Sequence, residues 1–309
     1  MTVVTSRTAI PTTLLGAEEW RARRDAHRGA VDDLIGPYLA ARRRGARHPV
    51  IDFLFTYYSS RPAHVLRWHP GYGVVLADGE EFLSLRGYER VDAGVAVGES
   101  WRRSRVGALT AAADLLRATA ARPSRLGCFG LHEWAMVYRS DDTRHDVPLR
   151  LGRAGTDAVV ESMPLRCTHF DAFRFFTDPA RPRNETELSR ITQIDHEQPG
   201  CLHATMDLYR FCFTLAPLIP SELTLECFAL ALRARDLDMR ASPYDLTDLG
   251  YAPVPVETPA GRAEYVREQS TISEHGTRLR SRLLDLCTEL VDRTHTRDGR
   301  RLPRAVTDE

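Results

Sequence analysis

The sequence predicts a mainly α fold: a single compact helical domain with a small β-hairpin element near residues 72–97. Apolar residues recur at helical spacing in several stretches, most clearly over residues 260–293, where they can form one buried stripe. Residues 68–97 are instead rich in Gly, and Asp78-Gly79 lies between two apolar runs, as is typical of a hairpin turn. With 309 residues, of which 43% are hydrophobic and 27% charged, the chain has ample material for one core.

The N-terminal part is expected to be helical after a short lead. Residues 1–16 show no helical period and predict a flexible lead, whereas residues 17–46 predict a charged helix with a break or kink at Pro37. Pro49 can open the next, short helix, and Pro62 is expected to close that region.

The rest of the chain is expected to alternate helices with polar connections. Ser221 is a good N-cap for one of the helices. Residues 140–168 predict a polar loop with short extended pieces. The tail at residues 294–309 is expected to be flexible, so the helical domain would cover residues 17–293. Helices are expected over residues 104–121, 130–139, 184–194, 201–215, 222–239 and 260–293.

The charged residues exclude several classes of chemistry. All 42 basic residues are Arg and none is Lys, so a Schiff-base lysine is excluded, and pyridoxal-phosphate catalysis with it. A P-loop lysine is excluded for the same reason. The 42 acidic residues balance the basic ones, and a nucleic-acid partner is not favoured because phosphate binding usually needs a basic excess.

The composition also predicts a location for the protein. No apolar run approaches the roughly 18–20 residues that cross a bilayer. The first residues lack the basic and apolar regions of a secretory signal. None of the six Cys forms a C-x-x-C pair, so neither a zinc ribbon nor a disulfide framework is expected. We therefore expect a cytoplasmic protein with no membrane segment, and its oligomeric state stays open.

Four segments place a His near a carboxylate. They are His48 and Asp52 in H-P-V-I-D, His132 and Glu133 in G-L-H-E-W, His169 and Asp171 in C-T-H-F-D, and His203 and Asp207 in C-L-H-A-T-M-D. The last pair is four residues apart and shares one helix face with Arg210. Each pair alone is compatible with helix capping or an ordinary core contact, and the four together indicate a site.

The functional interpretation of these pairs is a metal centre. Imidazole and carboxylate suit Fe(II), Mn(II) or Zn(II), and two His with one carboxylate leave positions open for substrate and oxygen. The candidate ligands are His132, His169, Asp171 and His203. The sequence therefore favours a metal-dependent enzyme acting on a small molecule, with Fe(II) as the expected cofactor and an oxidoreductase favoured over a hydrolase.

Three further residues are candidates for catalysis. Glu133, tuned by an apolar wall that includes Trp134, can form a general acid/base pair with His132, and Asp207 offers a second carboxylate. Cys201 could be a nucleophile if a neighbouring base activates it.

Arg210, Arg240 and Tyr244 are the candidates for substrate binding, since Arg holds anionic groups through paired hydrogen bonds. Arg240 lies in R-D-L-D-M-R-A-S-P-Y-D-L, where a network of Arg and Asp that fixes a helix end is the alternative. Aromatic clusters such as F-D-A-F-R-F-F are interpreted as core, and lining of an apolar substrate pocket is the alternative.

Several segments between residues 48 and 246 resemble an actinobacterial family of proteins of similar length that are commonly labelled 3-methyladenine DNA glycosylase. The segments are H-P-V-I-D-F-L-F-T-Y-Y-S-S-R-P-A, R-W-H-P-G-Y-G-V-V-L, G-L-H-E-W-A-M-V-Y-R, C-T-H-F-D-A-F-R-F-F-T, E-Q-P-G-C-L-H-A-T-M-D-L-Y-R and D-L-D-M-R-A-S-P-Y-D-L. The resemblance implies excision of a base from DNA, for which Asp171 or Asp207 would be the catalytic carboxylate. A DNA base glycosylase is therefore the alternative function.

Overall fold

The computed structural model describes residues 13–143 and 145–292, and these residues form a mainly α fold with one small sheet, as predicted. The helices are α1 (Ala17–Arg43), α2 (Ile51–Thr56), α3 (Pro62–Leu66), α4 (Glu99–Ser104), α5 (Val106–Ala120), α6 (Leu131–Ala135), α7 (Gly152–Ser162), α8 (Phe170–Phe173), α9 (Gln193–His196), α10 (Leu202–Thr214), α11 (Ser221–Arg240) and α12 (Pro259–Asp292).

Helix α10 lies at the centre of the helical layer. Every residue from Leu202 to Tyr209 is buried, so this helix has no solvent-facing side over its first two turns. It packs against α11 and α12, and α12 packs in turn against α5. Burying a polar side chain is costly unless it finds a partner, and α10 carries three buried polar residues, His203, Thr205 and Asp207.

Helix α1 continues through Pro37 without the break that the sequence predicts. Pro removes one hydrogen bond from a helix interior and usually kinks it. Here Ile35, Tyr38 and Leu39 flank the proline and are buried in the main core, and α1 packs against α3 and α11. This burial holds the helix together across the proline.

The sheet has four strands, β1 (Thr13–Leu15), β2 (Val74–Leu76), β3 (Tyr88–Val91) and β4 (Gly94–Val97), in the order β1-β2-β4-β3. β1 pairs parallel with β2, and the other pairs are antiparallel. The sheet covers a second, smaller core around Trp20, Trp68 and Phe82.

The predicted hairpin exists within residues 72–97, but its turn is not at Asp78-Gly79. The hairpin joins β3 to β4 through Asp92 and Ala93, and Val91 pairs with Gly94. Asp78 adopts a left-handed φ of 50° and leads into a 3-10 helix, Glu80–Ser84, so the chain turns away instead of folding back.

Part of the expected flexible lead over residues 1–16 is a strand. Thr13–Leu15 pairs with β2, and the Leu15 side chain is buried in the smaller core. Residues 1–12 and the expected tail at residues 294–309 lie outside the described residues.

Three expectations in the middle of the chain are wrong. Pro62 opens α3, where its fixed φ suits the first helical position, and does not close the preceding region. The helix expected over residues 184–194 is reduced to α9, after a 3-10 turn at Arg181–Arg183. α7 lies within residues 140–168, where loop was expected, because its two early glycines weaken the helical signal although Val159 and Val160 are buried.

Within residues 13–143 and 145–292, no helix combines the length and the apolar character needed to span a membrane.

Because the chain is closely packed at the start of α12, we expect one added methyl group at Gly261 to lower the stability of the protein measurably. A Cβ on Gly261 would lie 2.1 Å from the carbonyl oxygen of Pro255, which is backbone and cannot swing away. We expect Gly261→Ala to lower the free energy of unfolding by about 1–3 kcal/mol, the usual cost of overpacking. Chemical denaturation measures it.

The matched control is Gly29→Ala within α1, where a Cβ meets no atom within 4 Å. Alanine in an open helix interior is expected to stabilise the protein by about 0.5–1 kcal/mol. Equal destabilisation by both substitutions would contradict the packing described for Gly261.

Candidate metal centre

Three histidines from distant parts of the chain meet in the interior. His132 lies on α6, His169 immediately precedes α8, and His203 lies in the first turn of α10. All three are buried, with exposed fractions of 4%, 0% and 3%. The ring centroid of His203 lies 4.5 Å from that of His132 and 5.2 Å from that of His169. The structure therefore brings together the three predicted histidines, with His203 in the middle.

His132, His203 and Asp238 form what we call the first donor cluster, whose candidate ligand atoms lie within 4.8 Å of one another. Nε2 of His132 lies 2.9 Å from Oδ1 of Asp238, the distance of an ion pair with a protonated imidazole. His203 makes no ring hydrogen bond with any described residue. One oxygen and two nitrogens are thus close together, and such a set of donor atoms can serve as ligands of a common ion.

His169, Glu197 and Asp207 form the second donor cluster, also with ligand atoms within 4.8 Å of one another. Nε2 of His169 lies 3.2 Å from Oδ2 of Asp207 and 3.4 Å from Oε1 of Glu197. Nδ1 of His169 and Oδ1 of Asp207 have no hydrogen-bond partner. Both carboxylates are almost fully buried, with exposed fractions of 2% for Glu197 and 1% for Asp207.

Helix α10 contributes to both clusters. His203 and Asp207 are four residues apart and therefore lie on one face, as the sequence predicts. The segment before α10 is fixed by Gln198, whose side-chain oxygen accepts hydrogen bonds from the backbone N–H groups of Gly200 and Arg125. These bonds tie the segment before α10 to Arg125, and the helix itself keeps His203 and Asp207 in a fixed relation.

Buried arginines offset the charge of the carboxylates. Nη1 of Arg235 donates to Glu133 at 2.7 Å and to Asp238 at 2.9 Å, and its guanidinium lies 3.8 Å from the centroid of the Phe53 ring. Arg210 donates to Asp207 at 2.6 Å. Each cluster therefore has one guanidinium bound to one of its carboxylates.

The pKa values of the two histidines in the first donor cluster are shifted in opposite directions. Burial alone would lower the pKa of His132, but the adjacent Asp238 carboxylate outweighs burial and raises the pKa well above its usual value. Burial and the neighbouring His132 hold the pKa of His203 well below its usual value. His203 is therefore neutral near pH 7, which is the form that binds a metal, whereas His132 is held in its charged form and must lose a proton to bind one.

In the second donor cluster, neighbouring groups favour the charged forms of His169 and Asp207. Burial opposes a charged His169, but Glu197 and Asp207 raise its pKa. Burial also opposes ionisation of Asp207, but Arg210 and His169 lower its pKa below its usual value. Burial raises the pKa of Glu197.

A cavity of about 910 Å³ lies beside the first donor cluster. His203, Glu133 and Asp171 reach it from the interior, and Phe53, Tyr57 and Phe175 are among its aromatic walls. Its outer part is lined by Arg42, Arg47, Arg174 and Asp52. The volume suits a small organic molecule, and His203 connects the cavity to the donor atoms.

Asp171 does not act as the predicted partner of His169. It lies in α8, just after His169, and belongs to neither donor cluster. Its carboxylate accepts hydrogen bonds from Arg190 and, at 3.3 Å, from Arg210. The extended strand that would have aligned the two side chains is absent here, because the chain enters a helix at Phe170.

Cys201 is poorly placed for nucleophilic catalysis. Its side chain is buried, and burial raises the pKa of the thiol well above its usual value. A thiol is a weak nucleophile until it is ionised. Cys201 lies on a small enclosed cavity shared with Cys128, Cys167 and Tyr265, on the other side of His203 from the large cavity.

Arg240 and Tyr244 lie outside the lining of the large cavity. Arg240 donates to the carbonyl of Ala252 and to Glu264 and Glu268, so it fixes the end of α11 to α12, the alternative that the sequence left open. Tyr244 is buried in a separate small core. Arg210 binds the carboxylates Asp207 and Asp171, and so it positions charged groups.

The pair His48 and Asp52 forms a local contact at the start of α2. The backbone N–H of His48 donates to Asp52 at 2.8 Å, and Asp52 also accepts hydrogen bonds from Tyr38 and Arg42. This pair lies apart from both donor clusters.

Sequence reasoning missed two ligands of the clusters, Asp238 and Glu197. Asp238 belongs to the segment R-D-L-D-M-R, for which a helix-end network is the alternative, and it lies three residues after the buried Arg235 on α11. A signal existed there, since an Arg and an Asp among apolar helix residues indicate a buried ion pair. No comparable signal marks Glu197, which lies at the C-terminal end of the short α9.

Comparison of the chain with protein-family models, with curated proteins and with solved structures gave no match.

The Arg235 network predicts a large loss of stability on removal of its guanidinium. In Arg235→Met, the buried carboxylates of Glu133 and Asp238 lose their cation. Breaking a buried pair from one side costs about 3–5 kcal/mol, and we expect a decrease of that size in the free energy of unfolding. Urea unfolding at neutral pH measures it.

The matched control is Arg282→Met, which removes a guanidinium from an exposed pair with Glu226. Exposed pairs contribute about 0–1 kcal/mol, so this variant should stay close to the parent. A similarly small effect at both positions would show that the interior does not depend on Arg235.

Proposed function

We propose that this chain is a metal-dependent enzyme that acts on a small molecule, with Fe(II) bound by the first donor cluster and oxidation as the favoured reaction. The observation that supports it is the position of His203. This imidazole belongs to the cluster and at the same time lines the 910 Å³ cavity. A ligand with one edge on a cavity is what a catalytic metal site requires, because substrate must reach the ion.

The donor set supports the choice of ion. Two imidazoles and one carboxylate leave coordination positions open, and this combination is typical of non-haem Fe(II) sites that use oxygen. Among the described residues, the candidate ligands that lie close together in this cluster are two imidazoles and one carboxylate, with no thiol. Nitrogen and oxygen donors therefore define the site.

The surrounding residues would position the ligands. Arg235 donates to the second oxygen of Asp238, which leaves Oδ1 directed towards His132. Such contacts around a metal ligand fix its orientation and its charge. Glu133 shares the same guanidinium and lines the cavity, where its carboxylate can accept a proton from a bound molecule.

The cavity supports an anionic substrate with an apolar part. The aromatic rings of Phe53, Tyr57 and Phe175 offer apolar contact area, and Arg47 and Arg174 lie among the outer residues. Nε of Arg174 lies 3.4 Å from Oδ1 of Asp171, and the side chain of Arg174 is 45% exposed to solvent. Guanidinium groups bind carboxylates through paired hydrogen bonds.

A cytoplasmic location forms part of the proposal. All six cysteines are unpaired, and five of them are buried. Free cysteines are typical of the reducing interior of the cell, whereas secreted proteins use them in disulfides.

The test is iron binding by the full chain. We expect metal-free protein to bind Fe(II) under anaerobic conditions, and His132→Gln and His203→Gln to weaken binding at the first donor cluster at least about 10-fold, since even the contacts behind a ligand contribute that much. Nitric oxide should give the EPR signal of a ferrous nitrosyl, which needs an open coordination position. The matched control is His196→Gln, which changes a histidine outside both clusters.

Two results would overturn the proposal. One is absence of iron binding by the folded parent, and the other is unchanged iron affinity in both His132→Gln and His203→Gln. Tight, salt-dependent binding to duplex DNA by protein free of metal would instead support the glycosylase alternative.

A further inference from the structure

A second cavity, lined by Arg67, Arg86 and Arg105 and which we call the basic cavity, lies apart from the candidate metal centre. Its volume is about 430 Å³, and its lining shares no residue with that of the 910 Å³ cavity. Residues of α1, α3 and α4, the end of α10, the first turn of α11 and the loop before β3 enclose it. The proposed oxidation makes no use of this space, which is large enough for a small organic molecule.

The basic cavity carries positive charge that no carboxylate offsets. Its lining contains no Asp and no Glu. Within residues 13–143 and 145–292, the guanidinium groups of Arg67, Arg86 and Arg105 form no ion pair. Burial and the nearby Arg67 lower the pKa of His69, which also lines the cavity, to about 3, so this imidazole is neutral. Three guanidinium groups that converge on one space without counter-charges attract an anion.

Three buried nitrogen atoms in the same lining have no hydrogen-bond partner. They are Nε1 of Trp101, Nε of Arg105 and Nδ1 of His27, whose side chain belongs to a residue only 6% exposed. Nε2 of His27 lies 2.8 Å from the carbonyl oxygen of Val65, to which it donates, so Nδ1 is left for a ligand. Buried polar groups without a partner are rare in folded proteins, and the oxygens of a bound anion would accept from Trp101 and Arg105.

Stacking on Trp101 holds two of the guanidinium groups in place. The central carbon of the Arg105 guanidinium lies 4.8 Å from the centroid of the indole ring, and that of Arg86 lies 5.6 Å from it. Arg105 also donates to the carbonyl oxygen of Thr214 at 3.4 Å. A stacked guanidinium keeps its edge free for hydrogen bonds in its own plane, so these groups are positioned before a ligand arrives.

The remaining walls of the basic cavity are largely apolar. Phe213, Ile219 and Leu225 line it, and the ring of Phe213 is stacked on His64 with 6.3 Å between the ring centroids. Burial and the nearby Arg67 lower the pKa of His64, so this ring is neutral as well. The lining therefore suits an organic anion that has an apolar part, rather than a bare ion.

We propose that the basic cavity binds a small organic phosphate monoester at a site separate from the metal centre. Its phosphate group is bound by Arg67, Arg86 and Arg105, and its organic part packs against Trp101 and Phe213. A phosphate monoester carries about two negative charges at neutral pH and has three acceptor oxygens, whereas a carboxylate carries one charge. The phosphate therefore matches several unpaired guanidinium groups better than a carboxylate does.

The experiment is isothermal titration calorimetry of metal-free full-length protein, in the presence of EDTA, with phenyl phosphate as the probe. The parent is expected to bind one probe molecule per chain. Inorganic phosphate, which lacks the ring, and benzoate, which has a single negative charge, should each bind at least about 10-fold more weakly, since one charged hydrogen bond or the burial of one ring contributes that much. This comparison uses the parent alone and does not depend on the folding of any variant.

Variants then locate the probe. Arg67→Gln and Arg86→Gln, both at exposed positions, should each weaken the binding of phenyl phosphate about 10-fold, and Trp101→Phe, which keeps a ring but removes the N–H donor, should weaken it as well. The matched control is Arg47→Gln, which removes the same charge from an exposed arginine of the 910 Å³ cavity and should bind the probe as the parent does. Circular dichroism shows that each variant is folded.

Three results would overturn this inference. The first is absence of phenyl phosphate binding by the folded parent, and the second is benzoate binding as tight as that of phenyl phosphate. The third is binding that is lost in Arg47→Gln and unchanged in Arg67→Gln and Arg86→Gln, because the probe would then lie in the larger cavity. None of these results bears on iron binding by the first donor cluster, so the proposed function stands or falls separately.

Discussion

The buried guanidinium of Arg235 is the constraint on which the interior of this protein depends. Its exposed fraction is 0%, and so is that of Asp238, while Glu133 is 3% exposed. Two carboxylates at this depth would carry an uncompensated charge without it. Phe53 adds a favourable ring contact at 3.8 Å, which ties the charged group to the apolar wall of the cavity. Because Arg235 and Asp238 are three residues apart on α11, a single helix supplies both the ligand and the cation that fixes it.

Helix α10 provides a similar Arg–Asp ion pair in the second donor cluster. Asp207 and Arg210 are three residues apart and bind at 2.6 Å, as Arg235 and Asp238 do on α11. The two helices pack directly against each other, so the two ion pairs lie in one interior. His203 lies one turn before Asp207 and therefore extends to the first donor cluster from the helix that anchors the second. The rotation of α10 thus sets both clusters at once, and the packing of α10 against α11 and α12 stabilises that rotation.

The sequence predicts the fold class well and the site in part, for physical reasons that differ. Helices such as α11 and α12 have a strong amphipathic period and turn residues at their ends, and these are local properties. His132, His169 and His203 stand out because buried histidines beside carboxylates are uncommon. Their partners could not be chosen from sequence, since a ligand pair such as His132 and Asp238 joins residues 106 positions apart. Proximity in sequence suggested Asp171 for His169, and the start of α8 turned that side chain towards Arg190 instead.

The sizes of the two cavities beside His203 explain why the proposed reaction would take place on one side of this imidazole. His203 lies between two cavities of very different size, about 910 Å³ towards Phe53 and about 10 Å³ towards Cys201. The smaller space has room for about one water molecule and is walled by thiols and Tyr265. A substrate can therefore approach His203 from the larger cavity, where Glu133 and the aromatic walls lie. The residues of the second donor cluster are almost fully buried, so their charges interact in a dry environment, where electrostatic interactions are strongest.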